Sequence, residues 1–395
     1  MEITIFENRM ETKAIQERLP LIVDCLQPLL FVEKCFGTFR FRQVRGCLHP
    51  PTFKSKAYAI ALLIVISIPY LAALCMSQSP YGVDGIKFEL VNAAPVLLLV
   101  IQFVISMLVP FMFSKENVII VQSLSQIDDL LNVDEKQYRK GKRRILVKLI
   151  TFSIILILSM VYEFYNQDVF TVTVLFISLM KYGDKLRVFS FYVYISWITE
   201  RINILNKYLM TLSNIGCNKV KKCSVFVIRP KMAETVEIKS LSKSFHLIGN
   251  TLLLVNSVFE VHLFFAIVTA FFNIIMSLYM YIYYYRIFKL SQKYMVGIAY
   301  WCTTEIFYLI IVCCLCENIL KIRNRTEVLA NDIIMSYNKS DKVRNQAKTL
   351  KEVVDAWPMN NVVYGVFQLN VKFMLKFINI STTYFILLIQ VSHFI

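Results

Sequence analysis

Thr383 and Gln390 stand seven residues apart in the final stretch Val371–Ile395, VKFMLKFINISTTYFILLIQVSHFI. At about 100° per residue, that spacing puts the hydroxyl and the carboxamide on one face of a helix. Lys372, Asn379 and Ile386 lie within about 40° of Gln390 on the same wheel, Lys376 at about 40° and His393 at about 60°. Polar side chains in so apolar a helix must face protein or water, because an unpaired polar group in hydrocarbon costs several kcal/mol. Two uses fit the stripe. It bonds to neighbours inside a helix bundle, or it walls a conduction path.

Catalytic chemistry has no comparable signal. The sequence holds no P-loop, dinucleotide fingerprint, HExxH or nucleophile elbow. Its four histidines, His49, His246, His262 and His393, are scattered and form no catalytic pair. Cys313, Cys314 and Cys316 lack paired CxxC spacing and a nearby histidine, so no metal site is expected. Ten cysteines in basic or apolar stretches do not make a disulfide framework. Cys75 and Cys302 either pair or remain two buried thiols. The expectation is a protein that is not an enzyme and needs no cofactor.

The elements that must position the stripe are membrane helices. Of 395 residues 57% are hydrophobic and 18% charged. Soluble domains carry about 45–50% apolar and about 25% charged residues. A net charge of +16 would point to nucleic acid in a soluble protein. Here its distribution between loops explains it better, and no nucleic-acid partner is expected.

Seven spans are expected. The segment 1–56 is polar and basic, and its first apolar run is interrupted by Pro20, Asp24, Pro28 and Glu33, so no signal peptide and only a short helix over Pro28–Phe36 are predicted. Spans follow at Ala57–Met76, Phe88–Phe113, Ile145–Tyr165, Val169–Ile198, within Thr251–Tyr285, and at Tyr294–Cys316. The fourth is interrupted by Lys181–Arg187, whose charges must snorkel or pair. It is expected to cross because the next loop is strongly basic. The last stretch is the seventh span.

Nine basic residues lie in 1–56, seven in the loop after span two, nine after span four and eight in Glu317–Asn361. The alternate loops hold one, none, three and none. The positive-inside rule then puts the amino terminus in the cytoplasm and the carboxyl terminus outside. The sequons at Asn324 and Asn338 would face the cytosol and stay unmodified. A G-protein-coupled receptor has the opposite orientation, and two-fold transporter repeats are not visible. The expected fold is all-α, with seven transmembrane helices and long cytoplasmic helix extensions. Four regions result: 1–56, a cytoplasmic segment; 57–316, spans one to six with the ligand-pocket region; 317–362, cytoplasmic anchor helices; and 363–395, the last helix.

Thr383-Tyr384, five hydrophobic residues, then Gln390-Val391 resembles the carboxyl-terminal signature of insect gustatory receptors. Tyr364-Gly365-Val366-Phe367-Gln368-Leu369-Asn370 is similar to the segment that precedes that family's last helix. The resemblance implies a ligand-gated, non-selective cation channel of four subunits, a homotetramer or a heteromer with related receptors. It would lie in the plasma membrane of sensory neurons, in contact with membrane lipid. Its partners would be a small-molecule tastant and permeating cations.

On that resemblance Thr383 and Gln390 face or border the pore, and Tyr384 packs against a neighbouring helix. Val391 replaces the signature's final Phe, so the gate falls at Val391 or shifts to Ile386 or Leu387. Lys372 and Lys376 either repel cations at the inner mouth or snorkel aside. The ligand pocket is expected among spans two to six in the outer membrane half. Glu163, Tyr165, Thr173, Phe176, Tyr279, Trp301, Thr304 and Glu305 are candidates, with the two carboxylates foremost. Phe385 stands where sweet receptors commonly have Glu, which favours bitter or other plant compounds over sugars. Two alternatives are an odorant-receptor-type channel subunit, and a transporter or accessory membrane protein with no pore of its own.

Overall fold

The computed structural model describes residues 2–44, 46–76, 83–166, 172–214, 238–288 and 292–394. Their helices, in order, are α1 (Glu2–Cys35), α2 (Phe53–Met76), α3 (Val83–Met112), α4 (Ser114–Leu130) and α5 (Glu135–Asn166). They continue with α6 (Val172–Asn214), α7 (Ile238–Phe288), α8 (Gln292–Met335), α9 (Asp341–Ala356) and α10 (Val371–Phe394). Two small antiparallel hairpins, β1–β2 (Arg42–Val44 with Cys47–His49) and β3–β4 (Val362–Val363 with Phe367–Gln368), join helices. Helices α2, α3, α5, α6, α7, α8 and α10 overlap the seven expected spans, and most run beyond them.

Among the described residues, α5, α7 and α10 are long and apolar enough to cross a membrane by length and composition alone, and a fourth crossing follows if the bent α3–α4 pair is one span. The exposed large hydrophobics are what lipid requires. Ile150, Ile154, Ile157, Leu158 and Val161 line the outside of α5, and Ile60, Ile64, Val65 and Ile68 that of α2. Helix α6 instead carries charges in mid-helix, and these turn inward.

The structure departs from the sequence reading on either side of the first two spans. The expected short helix at Pro28–Phe36 is the end of a 34-residue helix. Leu19, Ile22, Cys25, Leu26, Leu29 and Glu33 are buried on one face, the i, i+3/i+4 spacing that burial against α4 and α5 demands. Neither Pro20 nor Pro28 stops it. The basic loop expected after span two begins instead with α4, bent 64° from α3. Pro110 lacks the amide that would bond the Ser106 carbonyl, so the ladder is already weakened where the chain turns.

Two buried charge clusters tie the helices together. In the first, Asp128 of α4 accepts two hydrogen bonds from Arg201 of α6, at 2.7 and 2.8 Å, and one from the Tyr138 hydroxyl at 2.7 Å. Burial, reinforced by the Asp128 charge, pushes the Tyr138 phenol up, so it remains a neutral donor. In the second, Arg40 reaches Glu33 at 2.6 Å and Asn117 at 3.1 Å, and lies over the Phe259 ring. Burial alone would raise the Glu33 carboxyl; the Arg40 charge and hydrogen bonds, helped by Arg187 and Ser190, outweigh it and hold the group below the ordinary range.

Breaking such a pair from one side strands a charge in the interior. Asp128→Asn should therefore destabilise the fold by roughly 3–5 kcal/mol. The check is the midpoint of thermal unfolding of the purified protein in detergent, where a variant that melts with the wild type would show the pair to be dispensable.

Candidate functional site

Helix α10 begins at a hairpin. Tyr364 and Gly365 take positive φ (49° and 68°), the twist a tight turn between antiparallel strands needs. The Tyr364 backbone N–H donates to Glu260 of α7. Asn370 Oδ1 then accepts the Phe373 N–H at 2.8 Å, capping the first turn of α10.

Aromatic rings fix the rotation of α10. Phe264 of α7 meets Tyr364 edge-on at 5.5 Å and stacks on Phe367 at 6.4 Å. Two turns further along α7, Phe271 meets Phe377 at 6.0 Å and Tyr384 at 5.7 Å, both edge-on. Phe377 and Ser381 are buried on this packed side. The wheel places Gln390, Asn379, Ile386 and Lys372 about 140–180° from Phe377, and Thr383 about 120° from it. Each of the five is exposed, as are Leu387 and Lys376. Thr383 meanwhile satisfies its hydroxyl on the Asn379 carbonyl at 3.0 Å. Asn379, Thr383 and Gln390 thus turn away from the packed side and bond no other helix among the described residues, while Lys372 and Lys376 border a cavity against α7.

A cavity of about 200 Å³ opens between α5, α6 and α8. Its walls are aliphatic residues of α5 with Tyr182, Tyr300 and Tyr308, and Lys185 and Glu305 pair within it at 2.5 Å. The Lys185 ammonium also sits 4.8 Å from the centre of the Tyr308 ring. Neighbouring side chains on α6 point elsewhere. Asp184 accepts from Ser106 of α3 at 2.7 Å, which leaves Nδ1 of His262 on α7 to donate to that same hydroxyl at 2.9 Å. Arg187 lies 3.6 Å from Glu33 of α1. The charges of Lys181–Arg187 that interrupt the fourth span are therefore at least in part paired inside the bundle.

Of the candidate pocket residues, Thr304 and Glu305 line this cavity. Phe176 packs instead with α2 and α3 around Phe103 and Met107, and Tyr279 is half-buried on α7. The side chains of Glu163, Tyr165, Thr173, Trp301 and Val391 lie outside the described residues. Lys185, Tyr182, Tyr300 and Tyr308 were missed. Their signal was the charge run inside an apolar span, which demands buried partners.

Seven helices with an apolar outer shell, a cavity among them and one helix with its polar face unpartnered define a membrane receptor fold rather than an enzyme. The chain belongs to the 7tm chemosensory receptor family, whose model matches residues 26–393. A search of curated proteins finds no significant match. Among solved structures it is similar to the insect olfactory receptor OR5 from Machilis hrabei, at 14% identity and a TM-score of 0.66, over 95% of this chain and 100% of that one. The same receptor in complex with eugenol matches at 14% identity and a TM-score of 0.67, with the same coverage. At this identity the likeness speaks for a shared fold.

The Lys185–Glu305 pair is largely buried, so removing one member should cost more than removing both. Lys185→Met is expected to destabilise by roughly 3–5 kcal/mol, and the double change with Glu305→Met to recover most of it. Thermal unfolding of the two purified variants decides the matter; equal losses would mean the pair does not act as a unit.

Proposed function

We propose that this chain is a gustatory-type receptor subunit that forms a ligand-gated, non-selective cation channel in the plasma membrane of sensory neurons. The observation that carries the proposal is the stripe of α10, turned away from its own chain. Thr383, Asn379 and Gln390 would be stranded in lipid if α10 stood alone. They find water if several subunits, four on the family resemblance, bring these faces to a shared axis. Ile386 and Leu387 border the stripe and are the expected constriction, together with Val391. The cytoplasmic amino terminus rests on the loop charges, and the inner ends of α6 and α8 with α9 would form the anchor.

The cavity at Lys185 and Glu305 is the proposed ligand site. Its size suits a compact molecule, as does the eugenol held by the relative. Lys185 and Glu305 already neutralise one another, so a charged ligand would have to break that pair, whereas a neutral hydroxyl or carbonyl compound can hydrogen-bond to it. This favours neutral, plant-type bitter compounds over anions or cations. An odorant-type subunit is the second reading, supported by the likeness to an olfactory receptor; the Thr383-Tyr384…Gln390 spacing favours taste.

Expression in oocytes with a panel of neutral aromatic tastants tests the reading. A ligand-evoked cation current is expected, and Gln390→Ala should change its ion selectivity or its block. A current indifferent to that substitution would remove Gln390 from the pore wall.

A further inference from the structure

A second cleft, of about 680 Å³, lies between α5, α6 and α8 on the inner side of the ligand cavity. That volume falls within the roughly 300–1,000 Å³ typical of small-molecule sites. Two helices present it with residues at helical spacing: Gln137, Gly141 and Arg144 on α5, and Glu200, Ile204 and Lys207 on α6. Lys140 and Arg325 complete the rim, and Arg201 stands at its wall.

The charges do not balance. Arg201 is consumed by Asp128, at 2.7 Å, and Arg144 by Glu200. Glu200 is the one carboxylate among the lining residues. The Lys140 and Lys207 ammonium groups make no hydrogen bond or ion pair among the described residues, and there the Arg325 guanidinium has the Met210 sulfur, at 3.2 Å, as its polar contact. Among the described residues, three cations therefore line one concavity without a carboxylate to pair with. The stretch 215–237 that follows α6 in sequence is itself net basic, with Lys219, Lys221, Lys222, Arg229 and Lys231 against Glu234 and Glu237. Like charges held together this way are destabilising unless a counter-charge joins them.

We propose that this cleft binds a polyphosphorylated inositol headgroup, with Lys140, Lys207 and Arg325 as the phosphate ligands. Arginine and lysine at a concave rim suit phosphate oxygens, through charge-assisted hydrogen bonds. The two lysine side chains are exposed and free to close on the ligand, while the Arg201–Asp128 pair keeps the wall rigid. That the cleft opens to the cytosol, where such headgroups are found, rests on the orientation proposed above. The binding chemistry itself rests only on the side chains.

Binding is measured on the purified full-length protein, so the outcome does not depend on orientation or channel activity. The probes are inositol 1,4,5-trisphosphate in solution and liposomes carrying about 5% phosphatidylinositol 4,5-bisphosphate, compared with liposomes carrying equal charge as phosphatidylserine. Wild type should bind the trisphosphate or the bisphosphate liposomes. The triple variant K140A/K207A/R325A should lose at least tenfold in affinity. A control variant with Lys342, Lys348 and Lys351 of α9 changed to Ala should bind as wild type does. Binding of the free trisphosphate marks a soluble ligand; binding confined to the bisphosphate liposomes marks a lipid headgroup, and either supports the site. No binding to either probe, equal loss in the two variants, or equal binding to phosphatidylserine would overturn it. A silent channel with intact binding would instead count against the proposed function alone.

Discussion

The rotation of α10 about its own axis is set by rings on one side of it. Phe264 and Phe271 stand seven residues apart on α7, two turns, so both face one side, Phe264 towards the hairpin and Phe271 towards α10. Tyr364, Phe367, Phe377 and Tyr384 close on them from the hairpin and the helix. Edge-to-face contacts of this kind add about 0.5–1.5 kcal/mol each beyond the area they bury. A turn of α10 by a few tens of degrees would forfeit several at once. The polar stripe therefore has its direction because the aromatic seam has its own, and any pore built from α10 inherits the alignment.

The charged interior reaches the same seam from the other side. Asp184, Lys185 and Arg187 are close neighbours on α6, yet their side chains diverge, Lys185 to the cavity and Glu305, Asp184 to Ser106 beside His262, and Arg187 towards Glu33. His262 belongs to α7, the helix that carries Phe264 and Phe271. A molecule that disturbs the Lys185–Glu305 pair thus sits one helix away from the element that orients α10. This is a contiguous physical route between cavity and stripe, and coupling along it would need one of these contacts to have two stable arrangements. Buried ion pairs add little net stability, but they penalise wrong partners, which suits a bundle whose helices are otherwise uniformly apolar.

Much of this was legible in the residues, and the failures have physical causes. Hydropathy located the long apolar helices of the fold because bilayer thickness acts on composition alone. The wheel of the last helix was legible because period and polarity are local. Helix α1 was not: Pro20, Pro28 and the charges of Asp24 and Glu33 argue against a long helix, and only packing against α4 and α5, with Arg40 waiting for Glu33, overrides them. Helix α4 was hidden by the bend after Pro110, since a sequence shows the weakened ladder but not the direction of the turn. In the cavity, Glu305 and Thr304 were found as polar residues near a span. Lys185 and Tyr308 were not, because their significance is a pairing between helices 120 residues apart in the chain.

The proposal that unites the seam, the stripe and the charged interior is that α10 walls a shared water-filled path. Cryo-electron microscopy of the full-length protein in lipid nanodiscs tests this most directly. The expected map is a fourfold ring with Thr383 and Gln390 of every subunit turned to the axis and Tyr384 against Phe271. A monomer, or a ring whose axis is lined by another helix with Gln390 facing lipid, would contradict it.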